Sequence, residues 1–293
     1  VTSLSVVVAA TGMAEQLERC LDALARQTVR PEVIVVSNRS GNAPASSTDS
    51  PPVSFVSMDA STTVPRLRAE GIARASGDVV VLTEDNAVPD TGWCEEILRA
   101  HRAGHEVVGG PIDNEPTGRL ADWAAYFYEY GRYMPPVPSG EADALPGNNV
   151  SYRRSDLLEI ADHFEDGFYE VFVHDELKRL GRTLRLHSTA LVHHIGRYEA
   201  GTVLSACYHH ARAYAGMRTR NRSAAVRLLF ATGTVILPVL LTARIGRIVL
   251  SRQRYVGPFF RSLVWLVPFT CSWALGELSG YLAGTGDSTR HWT

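Results

Sequence analysis

The alternation of apolar runs with helical repeats in the first third of the chain constrains its fold more than any other feature. Four runs have the length and β-branched content of buried strands: 4–8, 33–36, 53–56 and 78–82. Between the first two, apolar residues at 17–24 recur at the spacing of one helix face, and 64–75 forms a second helical segment. Continuous apolar strands separated by helices predict an α/β fold, with a mostly parallel sheet flanked by helices.

The residues that follow these strands are the candidate binding site, because ligands bind at the carboxyl ends of the strands in such sheets. The loops concerned are 9–12, 37–40, 58–60 and 83–86. In the last of them Glu84 and Asp85 are adjacent carboxylates, with the amide of Asn86 beside them. Their oxygens suit Mg²⁺ or Mn²⁺ shared with substrate phosphates, although a solvated turn is the structural alternative.

Charge is distributed unevenly along the chain. Residues 201–293 contain eleven arginines, no lysine and two acidic residues, so this part carries +9. Because the whole chain carries −2, residues 1–200 carry −11. The small overall charge argues against a dedicated nucleic-acid-binding protein, and the asymmetry predicts a basic tail that meets an anionic surface. No GxGxxG follows the first strand, which disfavours a nicotinamide dehydrogenase.

The basic tail contains two apolar segments, Leu228–Ala243 and Leu263–Leu275. Both are shorter than the about 20 residues of a straight membrane-spanning helix. Arginines lie before the first segment and between the two, so spanning would leave one cluster outside. We therefore expect interfacial or re-entrant helices on a cytoplasmic membrane face, with spanning helices and a buried soluble subdomain as the alternatives.

Several motifs resemble a known family in their order and spacing. They are Ser5–Val8 followed by Glu15–Leu24 and Gln27-Thr28, the run Glu32–Val36, the run Ala75–Leu82 with Glu84-Asp85-Asn86, Pro89 and Trp93, and Gly147–Arg154. Over most of the chain they resemble the family 2 glycosyltransferases, whose GT-A fold has a Rossmann-like sheet. The tail residues Gly276-Glu277, Gly280-Tyr281 and Gly284 resemble the membrane-proximal end of certain bacterial members.

The resemblance implies a set of binding residues. Those expected at the donor are Ala9, Thr11, Ser37, Asn38, Arg68 and Glu84. Those expected at the acceptor are Gly147, Asn148, Asn149 and the aromatic Trp123. Those expected at a Mg²⁺ or Mn²⁺ ion are Glu84, Asp85, Asn86 and the late His193. Two positions depart from the family: Ala9-Ala10 stand where proline is usual, and Ser37 replaces the usual aspartate that contacts the nucleobase.

The catalytic base is expected near the start of the helix before Gly181. Aligning the family pattern on Glu176 places His174 at the base position, and a shift of one residue places Asp175 there. Glu170 lies four residues before His174, on the same helical face, so its carboxylate could orient the imidazole. Glu170, His174 and Asp175 all remain candidates.

The resemblance implies a metal-dependent inverting glycosyltransferase of the hexosyltransferase class. It would move a sugar from a nucleotide sugar to a lipid-linked or cell-envelope acceptor at the bacterial inner membrane. We expect a donor half at 1–105, an acceptor and catalytic half at 106–205, and the membrane tail at 206–293. A nucleotidyltransferase on a similar sheet and a degenerate membrane-attached scaffold are the alternatives.

Overall fold

The computed structural model describes residues 2–39 and 53–291. It contains two compact units. The sheet unit comprises Val1–Glu115 and Tyr133–Ile195, and the helical unit comprises Pro116–Arg132 and Gly196–Thr293. The chain therefore leaves the sheet unit once and returns to it before entering the tail. The three functional parts expected from the sequence stay a prediction.

All strands in the described part of the chain belong to the sheet unit. They are β1 (Leu4–Ala10), β2 (Glu32–Ser37), β3 (Val53–Ser57), β4 (Val79–Glu84), β5 (Ala87–Pro89), β6 (Val107–Gly109), β7 (Ile112–Asn114), β8 (Gly140–Glu141), β9 (Asn149–Arg153), β10 (Leu184–Leu186) and β11 (Val192–His194). The helices of the whole described chain are α1 (Ala14–Ala25), α2 (Val64–Arg74), α3 (Trp93–Arg102), α4 (Leu120–Tyr130), α5 (Arg154–Glu159), α6 (Glu170–Arg179), α7 (Ala200–Arg218), α8 (Ala224–Gly233), α9 (Leu237–Arg252) and α10 (Val256–Ala283). Five of these, α4 and α7 to α10, form the helical unit.

The main sheet has eight strands in the order β3-β2-β1-β4-β9-β6-β10-β8. Strands β1 to β4 pair in parallel, as does β6 with β10. Strand β9 runs antiparallel to both β4 and β6, and β8 runs antiparallel to β10. The predicted α/β fold is confirmed, and the sheet is mixed because one central strand is reversed.

One face of the main sheet is covered by α2 and α6. Leu82 pairs with Val150 and Val80 with Tyr152, so these four side chains point to the same face. They belong to one hydrophobic core with buried residues of α2 and with Leu177 of α6. Because side chains alternate between the faces along a strand, Glu84, two residues after Leu82 in β4, points to this same face.

A second sheet of three short strands lies beside the loop after β4. Its order is β5-β11-β7, with β11 antiparallel to β5 and parallel to β7. The N–H of Ile195 donates to the carbonyl of Asn86 at 2.8 Å, which extends this pairing to the end of the acidic loop. The backbone of 86–89 is thereby held in the sheet unit.

The helical unit is built around α10, whose neighbours include α4 and α7. The contact with α4 is aromatic: Phe127 meets Phe259 with ring centroids 5.6 Å apart, and Tyr128 meets Trp273 at 5.9 Å. Gly276 and Gly280 face the backbone of α7, where a Cβ would lie 2.2 Å from the Tyr208 carbonyl oxygen and 2.4 Å from the Arg212 carbonyl oxygen. Glycine permits this close approach of the two helices.

The tail helices are longer than the apolar segments in the sequence. Residues Ala224–Arg252 form a continuous helical stretch of 29 residues, and Val256–Ala283 one of 28. Each is long and apolar enough to cross a membrane, a property that core helices of soluble proteins share. The expectation that both are too short is corrected: the helices extend past the apolar segments to include the flanking arginines.

Candidate active site

The carboxyl ends of β1, β2 and β4 meet at one edge of the main sheet, and the amino end of the reversed β9 lies at the same edge. The N–H of Gly12, after β1, donates to Asp85 Oδ2, after β4, at 2.6 Å. Arg39, after β2, donates through Nη1 to the carbonyls of Gly12 and Thr11 at 2.6 and 3.2 Å. These contacts join three strand ends into one polar surface. Arg39 lies in the predicted loop 37–40, although no pattern in the sequence singles it out as a site residue.

A buried arginine links two carboxylates at this edge. The guanidinium of Arg68 on α2, with a side chain only 5% exposed, contacts Glu84 at 2.7 Å through Nη2 and Glu170 at 2.8 Å through Nη1. Glu84 is the last residue of β4, and Glu170 is the first of α6. One cation therefore holds two acids from different elements.

Burial controls the protonation of the acids after β4. Burial raises the pKa of Glu84; the Arg68 guanidinium opposes this shift, and the Glu170 carboxylate adds to it. Burial also raises the pKa of Asp85 to about 7, against the hydrogen bond from the Gly12 N–H, which lowers it. Arg68 stays charged because the two carboxylates raise its pKa by more than burial lowers it.

The loop before β9 contributes the expected Gly147, Asn148 and Asn149. A Cβ on Gly147 would lie 2.9 Å from Arg68 Nη2 and 3.1 Å from the Glu170 carboxyl, so this position accommodates only glycine without movement. Asn149 accepts from Trp93 Nε1 at 2.9 Å and donates to two backbone carbonyls. The side-chain amide of Asn149 thus links the start of β9 to the segments just before β7 and β11. Asn148 is buried at the same edge.

The three candidate bases lie in different environments. Glu170 is partly exposed and lies beside Arg68. His174 is buried, its Nε2 is 2.8 Å from the Tyr152 hydroxyl, and burial lowers its pKa to about 4. Asp175 is exposed and pairs with Lys178 at 2.7 Å. Of the three, only Glu170 combines a position at the sheet edge with access to solvent.

The expected donor residues lie together at the edge. Ala9 and Ser37 are buried, and the Ser37 hydroxyl accepts from the Arg39 N–H at 3.1 Å. Asn38 donates to the Thr62 carbonyl at 2.7 Å. With Thr11 held by Arg39, these residues form the wall of the site beside β2.

The expected metal ligands are less closely grouped. Within residues 2–39 and 53–291, no three His, Cys, Asp or Glu side chains form a group able to hold a metal ion. Glu84 is bound to Arg68, and His193 Nε2 is 2.8 Å from Asp90 Oδ1. Asp85 and Asn86 supply the hard oxygen donors that fit Mg²⁺ or Mn²⁺, an ion that commonly binds through one or two protein carboxylates plus substrate phosphates. The donor chemistry therefore fits a metal shared with a diphosphate.

Trp123 lies in the helical unit, in an aromatic cluster. It is 6% exposed, its Nε1 donates to the Thr117 carbonyl at 2.8 Å, and its ring is 4.7 Å from that of Tyr255. The structure thus gives Trp123 packing partners within its own unit.

Known proteins resemble this chain in sequence and in fold. The family model described as "Glycosyl transferase family 2" matches residues 5–164. A solved structure, "Crystal structure of GalNAc-T7 with UDP, GalNAc and Mn2+", is similar with a TM-score of 0.50 and 14% identity. The match covers 68% of this chain and 44% of that one, so the chain spans less than half of that structure's length. No curated protein matches the chain. The structural likeness, at this identity, shows the fold.

Proposed function

The chain belongs to glycosyl transferase family 2, and we propose that its edge site transfers a hexose from a nucleotide-sugar donor to a hydroxyl acceptor with inversion at the anomeric carbon. The single observation that carries this proposal is the grouping of Asp85, Arg68 and Glu170 at one sheet edge. It supplies an acid that could share a metal, a fixed cation and an accessible carboxylate within one site. GalNAc-T7, whose structure holds UDP and Mn²⁺, is a fold relative that gives independent support for this donor class.

The donor side is formed by the ends of β1, β2 and β4. Asp85 and Asn86 would hold Mg²⁺ or Mn²⁺, which when bound neutralises the charge that grows on the departing nucleoside diphosphate. The Gly12 N–H orients Asp85, and Arg39 fixes the loop of Thr11 and Gly12 through its backbone carbonyls. These contacts arrange the loop before the donor binds.

The acceptor side carries the base. Glu170 removes the proton of the acceptor hydroxyl while that oxygen bonds to the anomeric carbon and the bond to the diphosphate oxygen breaks. Arg68 positions Glu170 by holding one of its oxygens, and Gly147 leaves room for this pair. A single displacement of this kind inverts the configuration.

A lipid-linked or cell-envelope acceptor is the proposed substrate, and the inner membrane is the proposed location. The support is the charge of +9 over residues 201–293 together with the exposed apolar side chains of the tail helices. Anionic lipid attracts such a basic, apolar surface.

The test is a thermal-shift titration of the whole chain with UDP, GDP and dTDP, each with and without Mn²⁺. A nucleotide at about 100 times its Kd stabilises the native state by about 2.7 kcal/mol, and we expect a metal-dependent shift with one of the three. Asp85→Ala is expected to lose the Mn²⁺-dependent part of that shift and the transfer activity, whereas the exposed control Asp22→Ala keeps both. Full activity in Asp85→Ala would reject the assignment, and pyrophosphate release from a nucleoside triphosphate would favour a nucleotidyltransferase.

A further inference from the structure

The hairpin of α9 and α10 exposes an apolar surface. Of the fifteen large hydrophobic side chains exposed in the described part of the chain, eight lie on these two helices, from Val239 to Leu282. Val239 on α9 is 67% exposed, and Val264 on α10 is 61% exposed. Exposed apolar surface on this scale marks a site that a membrane, a ligand or another protein covers.

A groove runs along this hairpin and has a volume of about 690 Å³. Its lining residues are Thr242, Ala243, Gly246, Arg247, Leu250, Ser251, Phe259 and Leu263. Gly246 opens its floor, since a Cβ there would lie 3.1 Å from Phe259 Cζ. The walls are mainly apolar, and the cation in the lining is Arg247.

Charge is placed at one end of the hairpin. Thr242 and Thr270 contact each other at 3.3 Å across α9 and α10. Four arginines of these helices lie between that contact and the turn. Arg252 donates to the Arg132 carbonyl, and the other three are Arg244, Arg247 and Arg261. In the described chain none of the three has an ion-pair or hydrogen-bond partner. No acidic residue occurs from 200 to 276 to neutralise them. The hairpin thus has a cationic end beside the turn and an apolar end beyond the threonines.

We propose that this groove binds one acidic glycerophospholipid of the membrane, with its phosphate on Arg247 and an acyl chain along the apolar floor. The charge order of the groove matches that of such a lipid, whose anionic head and apolar chain lie end to end. A guanidinium pairs with phosphate through two parallel hydrogen bonds, and Ser251 adds a hydroxyl at the same end. This lipid site is distinct from the proposed sugar-transfer site, and all of its lining residues belong to the helical unit.

The experiment is native mass spectrometry of the whole detergent-purified chain, titrated with phosphatidylglycerol or with phosphatidylcholine of the same acyl chains. We expect one phosphatidylglycerol to remain bound per chain, in preference to phosphatidylcholine. Arg247→Gln is expected to weaken phosphatidylglycerol binding about five-fold, the effect of one cation near a lipid surface. The matched control Arg244→Gln, one turn away on the same helix and outside the groove lining, keeps the affinity.

A second variant tests the apolar part of the groove. Ala243→Trp fills the groove from an exposed position and is expected to remove retention of both lipids, with unchanged circular dichroism and nucleotide-induced thermal shift. Equal binding of the two lipids, or equal losses in Arg247→Gln and Arg244→Gln, would show general attraction to lipid and overturn the proposal. Displacement of the lipid by millimolar inorganic phosphate would overturn it too, since the acyl chain would then contribute nothing.

Discussion

At the scale of single residues, Arg68 is a buried cation that contacts two carboxylates at once. Its guanidinium is buried between Glu84 and Glu170, so its removal leaves two acids facing each other without a cation. We expect Arg68→Gln to lower the free energy of unfolding by about 3 kcal/mol, because breaking a buried charge cluster leaves uncompensated charge. Arg66→Gln, on the same helix but exposed, is expected to change it by less than about 0.5 kcal/mol. Urea denaturation of both variants measures the difference.

Gly147 tests whether the geometry around the base matters for catalysis. A methyl group there would press on Arg68 and Glu170, so we expect Gly147→Ala to lower kcat at least about ten-fold through a displaced base. The control is Gly140→Ala, since no atom lies within 4 Å of a Cβ at that glycine. Steady-state kinetics separates the two, and equal kcat values would show that Glu170 does not need this position.

Several site residues were predictable and others were not. Glu84, Asp85 and Asn86 follow a buried strand, which is a local pattern in the sequence. The pairing of Arg68 with Glu170 joins residues 102 positions apart, and no spacing rule reports such a contact. Arg39 lies in the 37–40 loop, which the rule that places ligands at strand ends does indicate, but its contacts with the carbonyls of Thr11 and Gly12 depend on tertiary structure.

At the scale of secondary-structure elements, the early β-α repeats were predictable because each strand and helix carries its own periodicity. The reversed strand β9 was not, because a central strand is buried on both faces whichever way it runs. Strands β5, β7 and β11 have three residues each, too few for an alternating pattern to appear. The direction and pairing of these strands depend on tertiary contacts.

The turn between α9 and α10 holds two residues in the left-handed region, Gln253 with φ 53° and Tyr255 with φ 56°. This conformation costs a non-glycine residue about 1 kcal/mol. We expect Gln253→Gly to stabilise the folded protein by about 1 kcal/mol and therefore to raise its thermal midpoint in detergent, because Gln253 is exposed. Tyr255→Gly relieves the same strain but loses the packing against Trp123, so its midpoint is expected to fall.

At the scale of the whole molecule, buried histidines link stability to pH. Burial lowers the pKa of His101 to about 4, and its Nε2 is 2.8 Å from the Ser151 hydroxyl. The unfolded chain, with an ordinary histidine pKa of about 6.5, binds more protons between pH 6.5 and 4, so stability falls as pH falls through this window. Each such histidine contributes a slope of up to about 1.4 kcal/mol per pH unit.

We expect His101→Gln to reduce this slope by up to about 1.4 kcal/mol per pH unit, which is the contribution of one bound proton. Urea midpoints measured from pH 4.5 to 8.5 test it, and the two proteins should have parallel stability curves above pH 7, where histidine is neutral in both states. Parallel curves below pH 6 as well would show that His101 is not held neutral by the fold.

The path of the chain between its two units has a consequence for how the protein is made. Helix α4 lies between two stretches of the sheet unit in sequence, yet its aromatic face packs on α10, which the ribosome produces more than a hundred residues later. During synthesis, Phe127 and Trp123 therefore lack their later packing partners, and a chaperone or a membrane can bind this apolar surface. A chain cut after Ile195 would keep that face permanently bare. The tail and the segment that contains α4 thus form one folding unit, and the tail cannot be removed without exposing α4.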